Sequence, residues 1–366
     1  MFTESVKNFK DYVQNLNKSS RDYHLQEVLQ INLGNEGSEH WLEMQKKTGF
    51  DIKKEVKSVD DLVVLEEVLE KYDKTHGTKE FTEEHLREMP ISHFTPKKYL
   101  KKRENFMCPS SGSTGQKKSM IWDQDSSNEV INFYDFYLNY LGFPHGEKWW
   151  GMGPDRLYQK HMEQTAYRMG APYADIIAVE TRGSKEILES GDKKRFIERF
   201  GPSIEETRSF FSKEKPGVGV SATQTFEMLP NPEIFGVDIN CLKGILCSGT
   251  GTTSEAIKHL SEGLYKDKKI GVAYGHFMWG LALGLLDEKY DQNYFAHKLY
   301  CTHKVVNPRD TAKELKYGEH GQIKAYITRP EFFYIIKERD AATKIPPKEP
   351  FGWDGVKNVE PIHNFQ

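Results

Sequence analysis

Residues 109–118 read Pro-Ser-Ser-Gly-Ser-Thr-Gly-Gln-Lys-Lys. Ser110, Ser111, Ser113 and Thr114 offer hydroxyl donors, and Lys117 and Lys118 add positive charge. Gly112 and Gly115 permit a tight turn and let the backbone come close to a ligand. Successive backbone N–H groups in such a loop form an anion-binding concavity. Hydroxyls, small residues and cations in one loop are what a triphosphate needs. The pattern is not GxxxxGK[ST], because the lysines follow the second glycine with no hydroxyl at the required place. Taken alone, the loop reads equally as an ordinary Ser/Gly surface turn.

Other reactive types are thinly spread. Cys108, Cys241, Cys247 and Cys301 form no CxxC pair, so neither a zinc knuckle nor a disulfide framework is indicated, and no metal ligand set is expected. Cys301-Thr302-His303 puts a thiol and an imidazole on one side of a strand, although an inert buried cysteine explains the same residues. Aromatic residues cluster at Trp149-Trp150 and Phe277-Met278-Trp279. Such residues either line an apolar pocket or pack a core.

The elements that must position these residues change character along the chain. Val59–Tyr72 and Glu39–Lys47 carry apolar residues at helical spacing, with Leu62, Leu65, Val68 and Leu69 in one stripe. Asp60 and Asp61 sit at the start of that helix, where the dipole favours negative charge. The middle alternates short apolar runs, at 148–153, 176–180, 218–221, 244–248 and 270–273, with helical stretches at 161–169, 196–213 and 254–266. Strands alternating with helices predict an α/β domain with a largely parallel sheet. Residues 300–306, 321–328 and 332–337 are β-branched and aromatic, with turns at Asn307-Pro308-Arg309-Asp310 and Tyr317-Gly318-Glu319, which predicts a smaller β-rich subdomain. The expected division is a helical region over 1–90, an α/β core over 91–295, a β-rich subdomain over 296–345 and a Pro/Gly-rich tail over 346–366.

Bulk properties set bounds. The 366 residues exceed one small core, and 37% hydrophobic content excludes global disorder. With 51 Lys+Arg against 54 Asp+Glu, nothing calls for nucleic acid or an anionic membrane as partner. The first ten residues carry no apolar signal segment, and the apolar run Val272–Leu286 is broken by Gly and His and falls short of the ~20 residues a bilayer requires. A cytoplasmic protein is expected, and a homo-oligomer is compatible with the chain.

The stretch Ser110 to Lys118 resembles the phosphate-loop signature SSGSTGxPK of acyl-adenylate-forming enzymes, with Lys117 where that pattern has Pro. Met89-Pro90-Ile91-Ser92 and Tyr99-Leu100 resemble the lead-in of phenylacetate–CoA ligases and of the acyl-protein synthetase of bacterial luminescence. Gly244-Ile245-Leu246-Cys247-Ser248-Gly249-Thr250 resembles the strand-turn bordering adenine, and Ala273-Tyr274-Gly275-His276 the Tyr-Gly motif. Gly318 to Ile323 followed by Ile336-Lys337-Glu338-Arg339-Asp340 resembles the segment ending in the ribose-binding aspartate. Gly153-Pro154-Asp155-Arg156 is similar to a stretch of the luminescence synthetase, for which a structural ion pair is an equal explanation. The resemblance covers roughly residues 85–345.

It implies the large N-terminal domain of that superfamily: parallel-sheet subdomains with helices, a small β-rich subdomain, and no mobile C-terminal lid. It implies an AMP-forming ligase that uses ATP and Mg²⁺ to activate a small carboxylic acid, then hands the acyl group to a thiol on coenzyme A, a carrier protein or a partner enzyme. Amide formation from the same adenylate, or a degenerate nucleotide- or acyl-binding homologue, is the alternative. Lys118 and Thr114 would act on the phosphates, assisted by Ser110, Ser111, Gly112, Ser113, Gly115 and Lys117. Ser248, Gly249, Thr250, Tyr274 and Gly275 would border the adenine, and Asp340 would accept the ribose hydroxyls. Trp150, Phe277 and Trp279 would line the acyl pocket. The family usually has Thr-Glu after Tyr-Gly, the Glu helping to hold Mg²⁺; Phe277 and Met278 stand there instead. His276 beside that gap is either a substitute contact or an adenine-packing histidine.

Overall fold

The computed structural model describes residues 8–109, 119–154, 157–179, 187, 192–249 and 252–362. In chain order it opens with helices α1 (Phe9–Asn15), α2 (Lys18–Asn32), α3 (Glu39–Thr48), α4 (Ile52–Glu55), α5 (Leu62–His76), α6 (Glu83–Glu88), α7 (Ile91–Phe94) and α8 (Lys97–Leu100). Strands β1 (Phe106–Pro109) and β2 (Ser119–Trp122) and helix α9 (Gln124–Tyr140) follow. An alternating region comes next: β3 (Trp149–Pro154), α10 (Leu157–Arg168), β4 (Ala174–Val179), α11 (Lys193–Glu214), β5 (Val218–Ala222), α12 (Thr223–Met228), β6 (Gly244–Ser248), α13 (Ser254–His259) and β7 (Lys269–His276). The remainder is β8 (Gly280–Leu286), β9 (Gln292–Phe295), β10 (Cys301–Asn307), β11 (Asp310–Glu314), β12 (His320–Arg329), β13 (Phe332–Ile345) and β14 (Gly355–Pro361).

Two compact units share these elements. One comprises Met1–Cys108, Lys118–Val130 and Phe295–Gln366; the other comprises Pro109–Lys117 and Ile131–Tyr294. In the first, β11-β10-β12-β13-β14 form an antiparallel run, with Ile327 opposite Tyr334 and His303 opposite Ala325. The N-terminal helices bury their apolar stripes on it. Leu25, Leu29, Trp41, Met44, Leu65 and Leu69 join Tyr326, Phe333 and Ile335 in one core. Trp41 stacks on Phe333 at 4.6 Å, and its indole N–H donates to the Phe333 carbonyl at 2.6 Å. The stripe on α5 starts where expected. Ser58 and Asp61 cap the preceding turn reciprocally, satisfying donors a helix start leaves open.

The second unit carries the expected parallel sheet, in order β4-β3-β5-β6-β7, with β8 antiparallel to β7 and β9 beyond it. Its central strands are apolar on both faces, as sheets covered by helices require: Trp149, Trp150, Val218, Val220, Ile245 and Leu246 are all buried. The mixed α/β class and the β-rich portion predicted from sequence are thus observed. Two differences stand out. The 254–266 helix is shorter than its pattern, α13 giving way after His259 to a wider turn over Leu260–Leu264. The stretch from Pro346, expected to be a tail, carries β14, which pairs with β13 at Lys344–Val356 and Thr343–Lys357. No helix among the described residues is long and apolar enough to cross a membrane. The Val272–Leu286 run is a β-hairpin, with Val272 opposite Gly284.

Candidate functional site

In an open parallel sheet, ligands gather outside the carboxyl ends of the strands, where the winding direction reverses. Here β3 leads outward to β4, whereas β5, β6 and β7 step the other way, so the reversal falls between β3 and β5. Hydroxyls concentrate at that edge. Ser221 Oγ donates to the Met152 carbonyl at 2.7 Å, and Tyr158 donates to the Val220 carbonyl at 2.8 Å. The Tyr158 phenol, held neutral by burial, is also hydrogen-bonded to the Ser248 side chain. The hydroxyls of Thr223 and Thr252 lie 2.7 Å apart. Sequence reading passed over Tyr158, Ser221 and Thr223. Their local signal is faint, and only Gly153, where a Cβ would stand 2.4 Å from the Tyr158 ring, hints that an aromatic must cover that strand end.

Ser248 closes β6, paired with Ala273 of β7, so Gly249 and Tyr274 emerge side by side at the same edge. Gly249 has φ +95°, a conformation that favours glycine and lets the chain turn away there. Tyr274 is half-buried and its ring lies 5.4 Å from Trp279 and 6.0 Å from Tyr294. Gly275 is exposed, and His276 pairs with Gly280 across the hairpin that holds Phe277-Met278-Trp279. The His276 ring stacks on Trp279 at 5.6 Å and lies 4.8 Å from Phe277. The Met278 backbone N–H points at His276 Nδ1 at 3.3 Å, so the neutral imidazole keeps its proton on Nε2. This hairpin is tied down by the Leu281 N–H donating to the buried Tyr134 hydroxyl at 2.6 Å.

The sequence-predicted residues therefore separate into groups. Ser248, Gly249, Tyr274, Gly275, His276, Phe277 and Trp279 share one edge of the second unit. Trp150 is elsewhere in that unit. Its indole N–H donates to Thr207 at 3.2 Å and its ring meets Phe211 and Phe226. Between β3 and β7 stand β5 and β6, about 14 Å at ordinary strand spacing. Asp340 belongs to the first unit, half-buried on β13 opposite Pro361. Ser110, Ser111, Gly112, Ser113, Thr114, Gly115, Lys117, Lys118, Thr250, Asp155 and Arg156 lie outside the described residues.

Two other features are excluded as the centre. A cavity of ≈ 360 Å³ is lined by Tyr173, Asp175, Glu206 and Phe210, among others. Asp175 is the second residue of β4, so the opening is at the amino end of the strands. Cys301 and His303 do share a face of β10, but burial pushes the thiol well above its ordinary value and holds the imidazole down to about 3. A thiol kept protonated that way is inert.

No protein-family model matches the sequence, and no curated protein sequence matches it. Among solved structures, the chain is similar to 2-hydroxyisobutyryl-CoA ligase in the postadenylation state, with TM-score 0.63 and 14% identity over 93% of this chain and 66% of that one. It is also similar to an open conformation of that ligase in complex with 2-HIB-AMP and CoA, with TM-score 0.61 and 13% identity over 93% of this chain and 73% of that one. The chain thus spans about two thirds of the length of the first of these structures. At this identity the likeness establishes the fold alone, one shared with most of the length of these ligase structures.

Proposed function

We propose that this chain, which has the fold of the large domain of adenylate-forming enzymes, activates a small carboxylic acid with ATP and passes the acyl group from the adenylate to a thiol. The observation that carries this reading is the register Ser248↔Ala273, which sets the Ser-Gly turn of β6 beside Tyr274 at the carboxyl edge of the parallel strands. That edge is where a nucleotide would lie in a sheet wound this way. The carboxylate oxygen attacks the α-phosphorus and pyrophosphate leaves, so two anions must be brought together. Positioning and charge neutralisation make up most of the work. Lys118, Thr114 and the amides of the Ser110–Lys118 loop would hold the phosphates, and Tyr274 would border the adenine. Phe277 and Trp279, beside it on the hairpin, would face the acyl group.

Magnesium fits this hairpin poorly. A hard cation takes oxygen ligands, and the residues after Tyr274-Gly275 supply an imidazole, a phenyl ring and a thioether. The hairpin therefore offers no oxygen ligand set for the ion. The same feature favours one second reading, a homologue that binds a nucleotide or acyl group without turnover. Acid-dependent ATP–pyrophosphate exchange over aryl, fatty and hydroxy acids separates the two. Exchange with any acid supports activation, and ATP binding without exchange favours the second reading.

Asp340 would accept both ribose hydroxyls, since a carboxylate has acceptor sites for two. Asp340→Ala is then expected to raise the KM for ATP about 10- to 100-fold, the worth of hydrogen bonds to a charged acceptor. For 2′,3′-dideoxy-ATP the change should be small. An equal rise with both nucleotides would remove Asp340 from the ribose.

A further inference from the structure

Among the described residues, one group of histidines stands outside the nucleotide site, on the N-terminal helices of the first unit. His40 is the second residue of α3, His85 lies in α6 and His93 in α7, and their ligand atoms all lie within 4.8 Å of one another. The three rings are nearly equidistant: 5.6 Å between His40 and His85, 5.8 Å between His40 and His93, and 6.0 Å between His85 and His93. Trp41, Phe81, Phe94 and Tyr334 wall the group with aromatic surface.

Packing alone accounts poorly for this arrangement. His40 is 1% exposed, and both of its ring nitrogens are buried without a hydrogen-bond partner. One of them carries a proton in the neutral ring, so an uncompensated donor and acceptor are sealed in an apolar wall, which folded proteins rarely tolerate. His85 Nε2 is also buried without a hydrogen bond, although Glu80 Oε2 stands 3.2 Å away. That separation without hydrogen-bond alignment is close to the spacing of two ligands on one tetrahedral ion, about 3.3 Å for bonds of 2.0–2.1 Å. The other Glu80 oxygen is held by Lys47 at 3.0 Å, and Glu39 Oε2 lies 3.7 Å from His93 Nδ1. Glu39 thus stands behind the His93 ring, as a carboxylate stands behind a metal-bound imidazole.

We propose that His40, His85 and His93 bind one Zn²⁺-class ion, with Glu80 Oε2 as the fourth ligand. Three neutral imidazoles and one carboxylate suit zinc in chemistry and geometry. The three imidazole ligand atoms need to draw together by no more than about 1.5 Å per pair to reach tetrahedral spacing, and Glu80 Oε2 already lies 3.2 Å from His85 Nε2. The ion closes three short segments, at residues 40, 80–85 and 93, onto the face that includes Tyr334. Its role is structural, because four protein ligands leave no open position.

The test uses the purified full chain stripped with chelator, then given ZnCl₂ or CoCl₂ and desalted. One equivalent of retained zinc, a raised melting temperature and the visible bands of four-coordinate Co²⁺ are expected. His85→Gln, at a half-buried position that tolerates the change, should weaken binding about 100-fold or more. Glu80→Gln should weaken it about 10-fold. His259→Gln, an exposed control, should change nothing. Retention unchanged in His85→Gln would place the metal on surface imidazoles and overturn the proposal. Absence of any retained metal or melting shift in the unaltered chain would overturn it equally.

Discussion

Lys118→Ala combined with Thr114→Ala is expected to lower acid-dependent ATP–pyrophosphate exchange by about 10²–10³-fold, with the unfolding temperature unchanged. The expectation rests on what the reaction demands. A carboxylate approaches a triphosphate, and negative charge builds on the departing pyrophosphate. A cation and donors fixed before the reaction stabilise that charge, and losing such stabilisation costs about 10²–10³ in rate. In the proposed role Lys118 would supply the charge and Thr114 a hydroxyl, from a segment that also contains Gly112 and Gly115. Substitutions in polar, Gly-rich segments seldom cost much stability. Rate and stability are therefore expected to move independently. Exchange at the unaltered rate in the double variant would take the phosphates away from this loop. A parallel fall in melting temperature would make the loss a folding defect instead.

Glu331→Ala is expected to destabilise the protein by about 3–5 kcal/mol, the cost of leaving a buried charge without its partner. Arg329 and Glu331 are both fully buried, joined at 2.7 Å. The guanidinium lies 3.8 Å over the Trp122 ring, and also donates to the Ile121 carbonyl at 3.3 Å. Glu331 accepts from the Asp123 N–H at 3.1 Å and from Ser126 Oγ at 2.8 Å. Burial pushes the Glu331 carboxyl up despite the neighbouring arginine, and pushes the Arg329 guanidinium down. Both shifts say that desolvation is the dominant cost. Replacing the pair together, Arg329→Met with Glu331→Leu, should therefore recover most of the loss. Urea unfolding of the single and double variants measures this. A single variant within about 1 kcal/mol of the parent, the range of an exposed pair, would show that the charge is not sealed. The cluster grips residues 121–126, which include the end of β2.

Much of the fold was legible because it is local. Gly244–Ser248 coincides with β6 residue for residue, and the runs at 176–180 and 218–221 lie on β4 and β5 to within two residues. Short apolar runs between helical stretches carry their own signature, since a strand buried on both faces needs no partner to be recognised. β8 and β14 were missed for the opposite reason. Gly280–Leu286 contains two glycines, and Gly355–Pro361 has little alternation; each is a strand because a neighbour, β7 or β13, offers it a ladder. Propensity weighs little where pairing supplies the free energy.

The candidate site divides along the same line. By itself, the sequence offered the Ser110–Lys118 loop as a phosphate-binding candidate and, through the family resemblance, the Ser248-Gly249 and Tyr274-Gly275 runs, because each is a contiguous stretch of sequence. Only the tertiary structure decided that Ser248 and Tyr274 share an edge while Trp150 sits two strands away, since register and strand order are set by pairing between distant segments. It also decided the gathering of His40, His85 and His93. Their separations of 45 and 8 residues match no ligand spacing that a single helix or hairpin could close. They meet because α3 and the helical turns of α6 and α7 bury their apolar faces together, and that burial depends on the whole of the core they share.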